Sequence, residues 1–286
     1  MVDQLLAVLT YTLISFGTIA LAAVGLAIIF GMMGIINLAH GEFIMIGAYG
    51  TALSYHFGIP LALAMLVGGV IAAIFGVIVE AAVIRHLYDR LIDSMVATWG
   101  LGLILIQSFL LVFGPSIQGI PIPFGSTRIG TLSVSSYQLL LGIIGIVLFM
   151  AIYFVYTNTE YGLRARATMQ NDDMSEALGT DISRMYGYTF AFGTFLSGLA
   201  GGLFAPLISI SPDLGSRYII EAFVTVITGG TNVLLGVPAA SLALSSIYGT
   251  ASNWSSILVA KVALLLTAIV ILRVLPEGIS QLTDKY

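Results

Sequence analysis

The chain reads as long apolar runs separated by short polar or Gly/Pro-rich interruptions. A bilayer core about 30 Å thick is crossed by roughly 20 apolar residues in a helix. Residues 5–33, 61–84, 95–113, 137–156, 188–209 and 256–275 each supply such a run. Residues 43–57 are short unless they borrow from 34–42. Residues 218–230 and 236–251 flank "GGTNVLLGVP" and are shorter still. At 1.5 Å per residue they reach roughly 20–24 Å. They are either tilted or capped short helices or a re-entrant hairpin, which inside a membrane must be covered by protein or line a wet cavity. The pattern predicts an all-α polytopic membrane protein, one transmembrane domain over 1–286. It has about eight transmembrane helices, with short or re-entrant helices near 218–251.

The interruptions carry their own signals. In "FGIP" (57–60), Pro60 disfavours helix at Ile59 and marks a turn. "RHLYDRLID" (85–93) is a polar loop, and 114–136, with Pro115, Pro121 and Pro123, is a loop outside the lipid. "SISPDLGSR" (209–217) ends a helix. The longest polar segment is 157–187. Placing it in the cytoplasm puts Arg85, Arg90, Arg164, Arg166, Arg184, Arg273 and Lys285 on that side and only Arg128 and Arg217 outside. The excess of basic residues on the inner side then sets the N-terminus outside and the C-terminus inside.

Composition strengthens this reading. The chain is 58% hydrophobic and 8% charged, with a mean hydropathy of +1.05, whereas soluble domains carry about 25% charge. The first apolar run follows only Met-Val-Asp-Gln, with no basic region ahead of it, so no cleaved signal peptide is expected. Small residues recur every fourth position at Gly68, Ala72 and Gly76, at Ser197 and Gly201, and at Gly198 and Gly202. Such spacing lets helix backbones approach closely.

Several chemistries are excluded or disfavoured. No cysteine is present, so disulfides, thiolate metal sites and a cysteine nucleophile are ruled out. The only lysines, Lys261 and Lys285, stand in no P-loop, so this chain holds no ATP site of that kind. His40, His56 and His86 lie in separate segments without metalloprotease spacing, and no serine-nucleophile turn is found. No cofactor or metal is expected on this chain.

Ionisable and amide groups within apolar spans are costly and mark function by default. The candidates are Asn37, His40, Glu42, Glu80, Gln107, Glu221 and Lys261. Glu80 lies near the inner end, close to water or paired with Arg85. Lys261 can snorkel outward, and Glu221, four residues after Arg217, reads as an ordinary helix pair. On a continuous helix Asn37 and His40 would share a face and Glu42 would point away. Glycines at 31, 34 and 41 instead favour a helix junction satisfied by Asn37, His40 and Glu42. Between Tyr161 and Leu178 helix formers dominate, with Gly179 as the residue just past the end. A short amphiphilic helix outside the membrane follows, long for a mere connection and suited to docking a soluble partner.

Two stretches carry a family resemblance. "GLAIIFGMMGIINLAHGEFIMIGAY" (25–49) resembles the hallmark of permeases in the branched-chain amino-acid and urea group of ABC importers. "GLRARATMQNDDMSEALGTDISR" (162–184) is similar to that group's cytoplasmic coupling loop. "VIRHLYDRLIDSMVATWGLGLILIQ" (83–107) and "SPDLGSRYIIEAFVTVITGG" (211–230) look closest to the urea branch, while Thr231 and Asn232 depart from its pattern. The resemblance implies a second homologous permease, two ATPase subunits that use ATP and Mg, an extracytoplasmic solute-binding protein, and a prokaryotic plasma membrane. It also implies that Gly162, Arg164, Arg166, Asn171, Asp172, Glu176, Ala177 and Gly179 serve coupling to the ATPases.

For a neutral solute such as urea, Asn37, Thr98, Gln107 and Asn232 would supply amides and hydroxyls, and Trp99 a flat wall. A zwitterionic amino acid would call on His40, Glu42, Glu221 and Lys261. An ATP-independent channel, or a secondary transporter with an ion site at Glu42 or Glu80, is the alternative class.

Overall fold

The computed structural model describes residues 2–88, 90–130, 132–230 and 232–282. Asp89, Thr231 and Lys285, which figure in the expectations above, lie outside the described residues. Eleven α-helices and one β-hairpin are formed among the described residues. Seven helices are long and apolar enough to cross a bilayer, which bears out the polytopic all-α expectation.

The helices are α1 (Val2–Met33), α2 (His40–His56), α3 (Leu61–Ala82), α4 (Leu91–Phe113), α5 (Ser136–Asn158), α6 (Glu160–Gln170), α7 (Asp172–Ala177), α8 (Ile182–Phe204), α9 (Ile219–Gly229), α10 (Val233–Trp254) and α11 (Ile257–Val274). The hairpin pairs β1 (Ser126–Ile129) with β2 (Leu132–Ser135), antiparallel, with Ser126 opposite Ser135. It occupies the loop expected at 114–136, where alternation over so few residues gave no readable strand signal.

Local chemistry explains the boundaries. Gly58 adopts φ +89° and Pro60, at ψ 139°, is extended before α3 begins, which is the turn expected at 57–60. Thr159, Asn171, Asp181 and Ser256 each accept a backbone N–H from the first turn of α6, α7, α8 and α11, meeting donors that a helix start leaves open.

Two expectations are corrected. The segment 236–251 is not a short piece: α10 starts at Val233 and runs 22 residues. Pro238 falls in its second turn, where its missing N–H costs one early bond and does not stop the helix. Only α9, with 11 residues, remains too short, at about 17 Å, to span. The polar segment 157–187 forms two helices, α6 and α7, and not one, before α8 begins. Asn171 adopts φ −164°, ψ 104° and caps α7 with its own side chain, so the helix stops and restarts there.

The described residues fall into two compact units. One comprises Met1–Ala23, Ile122–Ile152 and Glu221–Tyr286. Its core gathers Ile19, Leu244, Leu264 and Ala268, with Val224, Tyr248 and Ile271 against them. The other comprises Val24–Pro121 and Tyr153–Ile220 and is organised by the mutual packing of α2, α3 and α8. The small-residue seams lie here. A Cβ on Gly198 would collide with Ala72, one on Gly47 with the Gly198 backbone, and one on Gly76 with Thr194. Helices this close gain dispersion contacts that larger side chains would forbid.

Candidate functional site

The stretch between α1 and α2 is a buried interruption of helix. α1 ends at Met33, and Gly34 turns the chain with φ +62°. Residues 34–37 have no regular structure, and α2 begins at His40. Asn37, Ala39 and His40 are fully buried and Glu42 is 5% exposed. Irregular backbone at such a place needs partners from elsewhere; the expected helix junction is present, and its backbone is served by the side chains of Asn37 and Thr98.

The partners are specific. The Asn37 Oδ1 accepts the Ala39 N–H at 3.0 Å. The Leu38 N–H donates to Thr98 Oγ1 on α4 at 3.0 Å, and the Thr98 hydroxyl donates to the Ser94 carbonyl at 2.7 Å. His40 Nδ1 lies 3.3 Å from Ser197 Oγ on α8. Ser197 already gives its one proton to the Gly193 carbonyl at 2.8 Å. Its oxygen therefore accepts, and Nδ1 of His40 carries the hydrogen. Glu42 faces α4 as well: a Cβ on Gly102 would stand 3.3 Å from its carboxyl carbon. The buried residues of α4 are Ser94, Thr98, Gly102 and Leu105, a single narrow stripe laid along the interruption.

Two polar atoms remain without a partner in this packed setting: Asn37 Nδ2, a donor, and Glu42 Oε2, an acceptor. Buried polar groups are nearly always bonded, so each of these atoms, one a donor and one an acceptor, has bonding capacity left over.

The other sequence candidates distribute differently. Trp99 is 59% exposed and Gln107 is exposed on the same helix, so neither joins Asn37, His40, Glu42 and Thr98. Glu221 belongs to the other unit, where it pairs with Lys261 at 2.7 Å. This corrects both its reading as an Arg217 partner and the reading of Lys261 as snorkelling freely. Arg217 closes a 3-10 turn before α9 begins, so the two residues do not share a helix, and Arg217 pairs with Asp213 at 3.4 Å. Asn232 precedes α10 and makes no side-chain cap bond. In the same unit a groove of about 330 Å³ is lined by Leu13, Phe16, Ile146, Pro238, Ala239 and Leu242. It has no polar group to hold a polar solute. Ser197 and Gly102 were missed as site residues. Ser197 was readable only as part of a small-residue seam, and Gly102 had no distinguishing neighbour in the sequence.

At one end of the second unit the coupling candidates assemble. Gly162 is buried, and a Cβ there would strike the Tyr156 backbone. Arg164 lies 3.9 Å from Glu160, and the Arg166 Nε donates to the Gly162 carbonyl at 3.4 Å. Asn171, Asp172, Glu176, Ala177 and Gly179 are exposed, as are the apolar Met174 and Leu178. Gly179 adopts φ +92°. Its N–H reaches the Glu176 carbonyl at 2.8 Å and that of Thr180 reaches Ser175 at 2.9 Å. This is the left-handed helix end that glycine permits, as the sequence led one to expect. Glu80, also at this end, is 1% exposed and receives Arg85 at 3.2 and 3.0 Å, the pairing foreseen for it. The carboxylate holds the Arg85 guanidinium above its ordinary pKa, and burial followed by the same carboxylate pushes the Tyr88 phenol up.

Residues 8–275 match the family described as "Branched-chain amino acid transport system / permease component". The chain belongs to this family. The permease is 26% identical to the high-affinity branched-chain amino acid transport system permease protein LivH of Salmonella typhimurium, over 92% of this chain and 91% of that protein. It is 28% identical to the probable branched-chain amino acid transport permease protein LivH of Methanocaldococcus jannaschii, over 92% and 88%. It is 25% identical to the ribose import permease protein RbsC of Haemophilus influenzae, over 82% and 71%. No solved structure matches the permease. It is an integral membrane transport component of import systems.

Proposed function

We propose that this permease is the membrane-spanning subunit of an ATP-driven importer of branched-chain amino acids. The observation that carries the reading is the family match over nearly the whole chain, joined by LivH relatives aligned over 92% of it. Urea, to which the segments 83–107 and 211–230 pointed, falls behind the amino-acid alternative. Both segments have local structural work: Thr98 holds the Leu38 N–H, Trp99 lies on an exposed face, and Asp213 is engaged by Ser211 and Arg217. The LivH relatives carry amino-acid names.

The buried interruption supports the amino-acid reading chemically. The free Glu42 acceptor and the free Asn37 donor complement an ammonium and a carboxylate, and Ile35, Ala39 and Leu105 nearby are buried and apolar. Energy comes from elsewhere in this scheme. Two ATPase subunits, binding ATP and Mg, dock on α6 and α7 against Met174, Leu178 and the exposed carboxylates. An extracytoplasmic binding protein delivers solute, and a second permease completes the path. The N-terminus then faces outward and the C-terminus the cytoplasm.

The test is uptake by the complex reconstituted with its ATPases and binding protein in vesicles. Labelled leucine is expected to enter in an ATP-dependent way, unaffected by excess urea. Uptake without ATP would make it a channel, and competition won by urea would overturn the amino-acid reading.

A further inference from the structure

Two tyrosine hydroxyls join the cytoplasmic helices to the membrane-embedded core, and each connection ends at a different element. Tyr161, in the first turn of α6, lies 3.0 Å from the Thr189 hydroxyl on α8. The Thr189 proton goes to the Met185 carbonyl at 2.8 Å, the usual back-bond of a helical threonine. Tyr161 is therefore the donor. Met32 Sδ, at 2.7 Å, is a second acceptor within reach of that same Thr189 proton, and it lies one residue before α1 ends and the buried interruption begins. The ring of Tyr161 meets that of Tyr156 edge-on at 6.0 Å, which fixes the direction of its hydroxyl.

The second connection starts at Asp172, the first residue of α7. Its Oδ2 accepts the Tyr186 hydroxyl at 3.3 Å. The Tyr186 ring packs edge-on to Tyr88 at 4.9 Å, and the Tyr88 hydroxyl donates to Glu80 Oε1 at 2.5 Å. Glu80 is fixed near the end of α3 by Arg85, and Gly187 on α8 leaves room beside its carboxylate. Glu80 is buried while Arg85 is half exposed, so removing Arg85 or Tyr88 would leave the Glu80 carboxylate short of a partner in the interior. The carboxylate serves as an anchor, and the tyrosines are its links outward.

We infer that Tyr161 and Tyr186 are positioning residues for transport, through which displacement of α6 and α7 is passed to the end of α1 and to α3. The ends of this chain of contacts are the docking helices and the interruption holding Asn37, so the inference rests on the proposed function while naming groups that neither docking nor solute binding uses. Coupling of this kind travels through packed side chains and hydrogen bonds with two arrangements. Phenylalanine at either position keeps the ring packing and removes only the hydroxyl.

The experiment has two arms. In the permease alone, in lipid nanodiscs, amide hydrogen exchange is measured over residues 34–40 and 172–177 for wild type, Tyr161→Phe, Tyr186→Phe, the double variant, and Tyr153→Phe, an exposed tyrosine, as control. Tyr161→Phe is expected to speed exchange over 34–40, Tyr186→Phe over 172–177, and the control over neither. In the reconstituted complex the double variant is expected to keep basal ATP hydrolysis while solute carried per ATP falls about three- to thirty-fold. A purely structural role would lower uptake and hydrolysis together. Unchanged exchange in both tyrosine variants overturns the inference whatever the ATPases do. If the wild-type chain binds no ATPase, the functional reading fails instead, and the exchange arm still decides the tethers.

Discussion

Asn37 and Asn171 sit at two breaks in helix, one buried and one wet, and they do related local work with opposite consequences. Each lies just before a helix and accepts a backbone N–H from the residues that follow, Ala39 at 3.0 Å and Met174 at 2.8 Å. Asn171 is exposed, so water serves the rest of its amide. Asn37 is fully buried, and its Nδ2 has no acceptor. The same residue type caps cheaply in water and leaves an unmet demand in the interior, where an unsatisfied group costs about 1–3 kcal/mol. That difference is what motivates the proposal of a solute site at the buried break and a docking hinge at the wet one.

The largest expected effect breaks the buried side outright. A Cβ on Gly41 would meet the Gly215 carbonyl oxygen at 2.6 Å, backbone against backbone. Gly41→Val is therefore expected to cost about 3 kcal/mol or more, read as a large fall in the unfolding midpoint in detergent. A midpoint equal to wild type would mean that the break is not held tightly. Next comes Asn37→Leu. It strands the Ala39 N–H, at about 1–3 kcal/mol, and removes the solute-facing donor, so uptake should fall more than the lost stability explains. Proportionate losses would make Asn37 a cap only.

On the wet side, Gly179→Ala forces a left-handed residue at about 1–2 kcal/mol. The expected outcome is weaker co-purification of ATPases with insertion unchanged. Asn171→Ala should cost about 0.5–2 kcal/mol, confined to faster exchange in α7. The smallest effect concerns Asp213. The Ser211 hydroxyl, with Arg217 adding to it, holds this carboxylate below its ordinary 3.8. Its contribution is complete above that value and is lost as pH falls through the lowered one. Asp213→Asn should therefore be slightly less stable than wild type above about pH 4, with the gap closing as pH falls below it in an acid titration.

Much of this was legible from the chain. The turn at Gly58 and Pro60, the Glu80–Arg85 pair, the helix end at Gly179 and the junction around Asn37 all rest on local backbone chemistry or short spacing, which one sequence exposes. The Glu221–Lys261 pair was not legible, because 40 positions separate its members and only tertiary packing joins them. Gly102 carries no local mark either, since its importance is the room it leaves for Glu42. Trp99 shows a related limit: a tryptophan inside an apolar run looks like a site wall, and nothing in the run says which way it faces. The two-helix form of 160–177 was hidden because Asn171 is tolerated within helices as well as before them.

One feature of α4 reaches further. Where α2, α3 and α8 are clasped glycine to backbone, α4 buries a strip of four side chains, three of them small, and sets Phe109 and Phe113 against Tyr49 of α2. Clasped rods must travel as a single body. A roll of α4 would carry Thr98 off the Leu38 N–H and uncover Glu42, with the Tyr49 ring contacts as the resistance to it.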